Sequence, residues 1–369
     1  MHSAVISLAS GYGYFPTPTV AVEAATRLIQ GGQLSVSPIE GLPALREALA
    51  STYRRSSGYG VSPQQVVVTP GGKAALFALF KTLLRPGDEV LVPTPVWFGF
   101  KSLIEQAGGN MRPLPLNSTD DYALTPAAVK AAIGPRTRIL LFSNPNNPTG
   151  RIYKHAEVEA ILDVTRQHPN LMVISDEIYD LVSFSTEPVP SLLEFADPHA
   201  QHVVVNGFSK SLALVGWGVG YLVAPTAVAQ VCAAWQFSTA AAVPTPNQHA
   251  ALAVTKASAS ITRELLAQLA TTRNILLDGL ADLPNVHCHI PEGTYYAFPD
   301  FTAYLTPRID PIIASASLVT RLRKAGVDVV DGASCGAPGF VRLSYAVPEE
   351  ALREALRRIR KALASAPVF

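Results

Sequence analysis

Short apolar runs bounded by glycine, proline or polar clusters recur along this chain, separated by stretches whose apolar positions follow a helical period. The first pattern predicts strands at 65–69, 89–93, 138–144, 171–178, 203–205 and 219–223. The second predicts helices at 20–29, over GLPALREAL at 41–49, at 73–84 and at 125–133. Strands alternating with helices imply an α/β fold built on a mostly parallel, doubly wound sheet, with ligands in the crevice at the carboxyl ends of the strands. From about Pro284 the pattern changes. A β-rich run, His287–Phe301, precedes a helix at 315–325, a strand at 340–345 and a long basic helix at 348–364. That is the pattern of a second, smaller α+β domain. The expected division is a large domain over 36–279 and a small domain assembled from 1–35 and 280–369, the change falling within a helix at about 261–283.

Composition narrows the partners. The 369 residues suffice for two such cores, and 48% apolar with 15% charged residues fits a well-buried enzyme rather than a disordered chain. A net charge of +1 gives no electrostatic footprint for nucleic acid or an anionic membrane, so small charged metabolites are the expected partners. Cys232, Cys288 and Cys335 match no metal-ligand spacing, so no metal site and free thiols in a reducing cytoplasm are expected. No basic segment followed by a long apolar one opens the chain, so no signal peptide is expected. The longest apolar run, 212–225, is broken by Gly216, Gly218 and Gly220 and is too short to span a bilayer.

Candidate chemistry gathers at the predicted strand ends. Lys210 stands alone among Phe208, Leu212 and Leu214, where burial favours a neutral amine. Such a lysine is a candidate nucleophile for a carbonyl, including the aldehyde of pyridoxal phosphate; a surface lysine at a strand end explains the stretch alone equally well. Pro70, Gly71 and Gly72 join a strand to the helix that starts at Lys73, an arrangement that holds a phosphate on free N–H groups or simply turns the chain. Trp97 follows one strand, and Asn144, Asn146 and Asn147 end another, three amides on a proline-fixed loop. Asp176 ends an apolar strand with Glu177, Tyr179 and Asp180 around it and needs a cationic or hydrogen-bonded partner. Arg342 lies in the apolar strand FVRLSYA and needs a carboxylate, from a ligand or from an internal salt bridge. Gly11 to Tyr14 read as an adaptable lip over a pocket or as a plain arm. Tyr12, Tyr14, Trp97, Phe98 and Tyr295 point to an apolar or mixed substrate pocket, unless they serve packing.

In one order, GYGYFPTP, GLPALREAL, TPGGKAAL, PTPVWFGF, SNPNNPTG, ISDEIYD, GFSKSLALVGW, GTYYAF and FVRLSYA resemble the class I/II aminotransferase family over nearly the whole chain. These are the fold-type I pyridoxal phosphate enzymes related to aspartate aminotransferase. The resemblance implies that Lys210 forms the internal aldimine and shuttles the proton, and that Asp176 pairs with the pyridinium nitrogen. It places Asn147 and Tyr179 on the ring's phenolic oxygen, Trp97 on its face, and the N–H groups of Gly72 and Lys73 on the phosphate. Arg342 is implied to bind the substrate α-carboxylate with help from Asn147 and Gly11, beside Tyr12. It further implies a homodimer whose substrates are an amino acid and a 2-oxo acid. Elimination, replacement or cyclisation of the same amino-acid adduct, and a non-catalytic sensor, are the alternatives carried forward. Three places depart from the family's usual phosphate ligands: Val36 stands for a tyrosine, Gly207 for a serine and Gly218 for an arginine. At roughly 1.5–3 kcal/mol for each charge-assisted bond, weaker cofactor binding is expected unless another group, such as Lys73, compensates.

Overall fold

The computed structural model describes residues 4–32, 34–57 and 60–364. Its strands in chain order are β1 (Ile6–Ser7), β2 (Val66–Thr69), β3 (Glu89–Thr94), β4 (Asn110–Pro115), β5 (Thr137–Ser143), β6 (Met172–Asp176) and β7 (His202–Gly207). β8 (Gly220–Val223), β9 (Tyr296–Ala297), β10 (Val327–Asp328), β11 (Val330–Asp331) and β12 (Val341–Ser344) follow. The helices are α1 (Thr19–Gln30), α2 (Pro43–Ser57), α3 (Gly72–Leu83), α4 (Gly99–Ala107), α5 (Pro126–Ala132) and α6 (His155–Thr165). They continue as α7 (Thr226–Thr239), α8 (Thr245–Lys256), α9 (Ser258–Ala281), α10 (Pro311–Lys324) and α11 (Glu349–Ala364).

Seven strands form one sheet in the order β2-β8-β7-β6-β5-β3-β4. β8 runs antiparallel to both of its neighbours, and the other pairings are parallel. The central strands are buried along nearly their whole length because helices cover both faces, which is why they read as continuous apolar runs. β4 carries Pro113 and Pro115, residues that read against a strand; at the sheet edge the missing N–H groups break no ladder on the open side. Helix ends follow local chemistry. Thr125 caps α5 by accepting from Ala128 N–H ahead of Pro126, and Asp310 caps α10 through Ile312 and Ile313 N–H.

The smaller unit holds a three-stranded antiparallel sheet, β11-β12-β9, and the parallel pair β1-β10. α11 buries Leu352, Ala355, Ile359 and Leu363 at helical spacing against it. The β-rich run expected at 287–301 is mostly irregular: two residues form β9, and isolated bridges such as His287↔Asp300 do the rest. Pro291 and Pro299 remove the N–H groups a longer ladder would need.

The N-terminal segment is shared between the two cores. α1 packs on α8, and its buried Ala21 and Ala25 belong to the large domain's core although 1–35 was assigned to the small one. In α9, Ile261 packs against the large domain's core while Leu265, Leu269 and Leu276 belong to the small domain's, so the change falls within the expected helix but ahead of residue 280. Hydrophobic period alone marks the buried face of a helix and not which core receives it.

Candidate active site

The ends of β5, β6 and β7, the α3 N-terminus, the N-terminal arm and β12 converge on Lys210. The lysine sits on the turn after β7, and its Nζ donates to the carbonyl of Gly11 and lies 3.8 Å from the centre of the Tyr12 ring. Burial, then the charges of Arg342 and Lys73, push its pKa down to about 7, against a smaller opposing pull from Asp176. At neutral pH a substantial share of the amine is therefore unprotonated.

Asp176 ends β6, buried, with Oδ1 accepting from Ile178 N–H. Burial drives its pKa up to about 7, with Ile178 N–H and Lys210 acting in the opposite direction. A carboxylate so placed gains from any cation that enters the crevice. Its neighbours divide into other tasks. Glu177 takes Ser191 Oγ and Leu192 N–H at 2.8 Å each, which ties down the chain after β6, and burial raises its pKa to about 8. Tyr179, also buried, shares a 2.8 Å hydroxyl contact with Tyr296.

Arg342 is buried in β12. Nη1 donates to Asn147 Oδ1 at 3.2 Å, Nη2 to the carbonyl of Ala9 at 3.0 Å, and Nε has no partner among the described residues. Its guanidinium carbon lies 4.2 Å from the Tyr296 ring centre and 5.8 Å from that of Phe98. No ion pair joins it to a carboxylate among the described residues, so the internal salt bridge left open by the sequence is not what holds it. A buried guanidinium held only by neutral oxygens and ring faces keeps capacity to bind an anion.

Of the three amides on the loop after β5, only Asn147 reaches this group. Asn144 closes the loop on itself through Tyr153 N–H and the Tyr153 and Pro190 carbonyls, and Asn146 Oδ1 accepts from Thr149. Gly11 offers its carbonyl to Lys210 and to the hydroxyls of Tyr295 and Tyr296; Ala9 is the arm residue at Arg342. Tyr14 lines a separate cavity with Gln268, Thr272 and Glu349, so it does not belong to the crevice. Tyr296 is absent from the sequence-based set. Its signal was present in the Tyr-Tyr pair, whose hydroxyls both donate to the Gly11 carbonyl, a contact between segments far apart in the chain.

Gly71 caps α3 with φ 85°, and the helix starts at Gly72 beside Ile178 and Val205. Lys73 is exposed, its Nζ 5.5 Å from the Trp97 ring centre. Gly207 is in ordinary contact with Gly220 and Val219, Gly218 has φ 62° with open space where a side chain would begin, and Val36 is 92% exposed. The residues present fit pyridoxal phosphate where its ring nitrogen and aldehyde need partners, through buried Asp176 and the low-pKa Lys210. The phosphate end offers backbone N–H groups and the nearby Lys73.

A buried amine, a buried carboxylate and a buried guanidinium without a carboxylate partner among the described residues thus gather at the strand ends of a doubly wound sheet. A profile of the family described as "Aminotransferase class I and II" matches residues 3–359, and the chain belongs to that pyridoxal phosphate-dependent family. It is an aminotransferase, and the relatives it resembles include aspartate/prephenate aminotransferases. It is 37% identical to the aspartate/prephenate aminotransferase of Thermus thermophilus, over 98% of this chain and 92% of that protein. It is 35% identical to the probable aspartate/prephenate aminotransferase of Aquifex aeolicus, over 97% and 91%. The aspartate aminotransferase of Thermus thermophilus with maleate superposes with a TM-score of 0.89 at 34% identity, covering 97% of this chain and 92% of that one. That of Rhizobium meliloti gives 0.92 at 28% identity, covering 99% and 92%.

Proposed function

We propose that this aminotransferase moves the amino group of an α-amino acid to a 2-oxo acid with pyridoxal phosphate held on Lys210, working as a cytoplasmic homodimer. The observation that carries the substrate class is buried Arg342, which has no carboxylate partner among the described residues and lies within electrostatic reach of Lys210. When bound, the cofactor supplies an electron sink that makes the amino acid's Cα proton acidic. Asp176 would hold positive charge at the ring nitrogen, and Asn147 and the Tyr179 hydroxyl would hydrogen-bond the ring's phenolic oxygen. Trp97 would lie on the ring face, and the Gly72 and Lys73 N–H groups would face the phosphate. Arg342 would grip the substrate carboxylate, displacing the Ala9 carbonyl and keeping its bond to Asn147. With Cα fixed in this way, Lys210 Nζ, its pKa lowered by burial to about 7, would take the Cα proton as a general base. Tyr12 lies over that amine, and the Tyr295 and Tyr296 hydroxyls donate to the same Gly11 carbonyl as it does.

The relatives' names include aspartate and prephenate, and one solved relative carries maleate, so dicarboxylic donors are the first to try beside apolar ones. The test is to supply the cofactor with single amino acids and 2-oxo acids, then follow the visible spectrum and identify the products by mass. Paired appearance of a new amino acid and a new 2-oxo acid is expected. A spectral change without either product would contradict the proposal.

A further inference from the structure

Asp180 takes no part in the chemistry above, yet it joins two segments that do. Its Oδ2 accepts from Asn206 Nδ2 at 2.9 Å, and its Oδ1 accepts from Ser211 Oγ at 3.0 Å and from Leu181 N–H at 2.8 Å. Asn206, near the end of β7, and Ser211, on the turn after it, bracket Lys210, and both are buried. Ser211 Oγ also donates to the Ile178 carbonyl at 3.1 Å. Asn206 Oδ1 in turn accepts from Gly207 N–H at 2.7 Å, and its Nδ2 lies 3.5 Å from the Tyr53 hydroxyl, which contacts the Tyr221 hydroxyl at 3.1 Å. The turn at 176–180 carries Asp176 and Tyr179, so one carboxylate ties the segment bearing those two groups to both flanks of the lysine.

We infer that Asp180 is a positioning residue: with Asn206 and Ser211 it forms a clasp that sets Lys210 against Asp176 and Tyr179. This rests on the reading of Lys210 as the reacting amine. A side chain that must reach the same atoms on every turnover is sensitive to its backbone, and small displacements are costly in rate. The clasp also has a direction. Asn206 donates through Nδ2 and Asp180 accepts, so exchanging the two residue types reverses the bond without losing it, and a carboxylate at 206 still accepts from Gly207 N–H. Either single exchange sets like groups against each other, two amides or two carboxylates.

The experiment compares the cofactor-loaded protein with D180N, N206D, the exchange D180N/N206D, and the milder S211A. The readouts are kcat, KM for the amino donor, and the pH midpoint of the visible band of the Lys210–cofactor Schiff base. Each single exchange should lower kcat by about ten- to a hundredfold with KM within about twofold, and should shift the midpoint, because Lys210 then stands differently to the charges around it. The double exchange should return kcat and the midpoint close to the parent, and S211A should move both in the same direction by less. A folded double variant no better than the worse single, or single variants with unchanged kcat and midpoint, would overturn the clasp. Should the single variants fail to fold, a double variant that folds and turns over supports it; should that fail too, S211A decides, and unchanged values there count against it. If the parent protein shows neither band nor amino transfer, the reading of function falls. The clasp is then judged by the pH dependence of Lys210 labelling with an amine-reactive probe in the same variants, with the same outcomes.

Discussion

Arg342 and Asp176 are charged groups buried with only neutral hydrogen-bond partners, a state a protein tolerates where a ligand completes it. For Arg342→Lys the two-pronged grip is lost while a positive charge is kept, so KM for the amino donor should rise by about ten- to a hundredfold, with kcat less affected. Steady-state kinetics would show this, and an unchanged KM would mean the carboxylate binds elsewhere. Asp176 has its pKa raised by burial to about 7, so the folded protein holds a proton that the unfolded chain has already lost. Its ionisation therefore weakens folding of the cofactor-free protein as pH rises from about 4 to 7. Thermal melts of Asp176→Asn against the parent should show an advantage for the variant that grows across that window. A difference independent of pH would refute the assignment. The burial of Lys210 was foreshadowed by the apolar residues around it, although that stretch alone fitted a surface lysine equally well. The Ala9 carbonyl and Tyr296 were not foreshadowed, because those contacts depend on where the N-terminal arm crosses β9 and β12 in space.

At the scale of elements, the sheet was readable because buried parallel strands leave uninterrupted apolar runs, whereas β4 was hidden by its prolines and α7 and α8 by small residues that blur the period. One contact between elements has a measurable consequence for the cofactor. A Cβ on Gly220 of β8 would stand 2.5 Å from both the carbonyl carbon of Gly71 and the nitrogen of Gly72, backbone atoms that cannot move aside without shifting the start of α3. Gly220→Ala should destabilise the fold by about 1–3 kcal/mol and displace the N–H groups proposed for the phosphate. Titration of the variant with pyridoxal phosphate should give a weaker dissociation constant, while pyridoxal, which lacks the phosphate, should be affected less. Equal losses for both would place the phosphate away from α3.

For the molecule as a whole, two domains meet around Lys210, which draws on groups from both: Asp176 from the large one, Tyr295, Tyr296 and Arg342 from the small one, with Tyr179 packed into the small domain's core. The proposed homodimer finds support in apolar side chains left in solvent. Leu34 and Val36 precede α2, and Val231 and Phe237 lie on α7, with Phe237 and Val36 at 75% and 92% exposure. Gln236 Nε2 donates to the Ile39 carbonyl at 2.8 Å, so these elements adjoin. Sedimentation should return twice the chain mass, and Phe237→Glu should shift the population toward the single-chain species; sedimentation of the parent as one chain would contradict the dimer. Among the described residues no helix is long and apolar enough to cross a membrane.

The most direct test of the account is chemical trapping of the amine itself. Protein incubated with pyridoxal phosphate, reduced with borohydride and digested should carry the reduced cofactor on the peptide containing Lys210, and Lys210→Ala should lose both that label and amino transfer. An unlabelled Lys210 in protein that still transfers amino groups would contradict it.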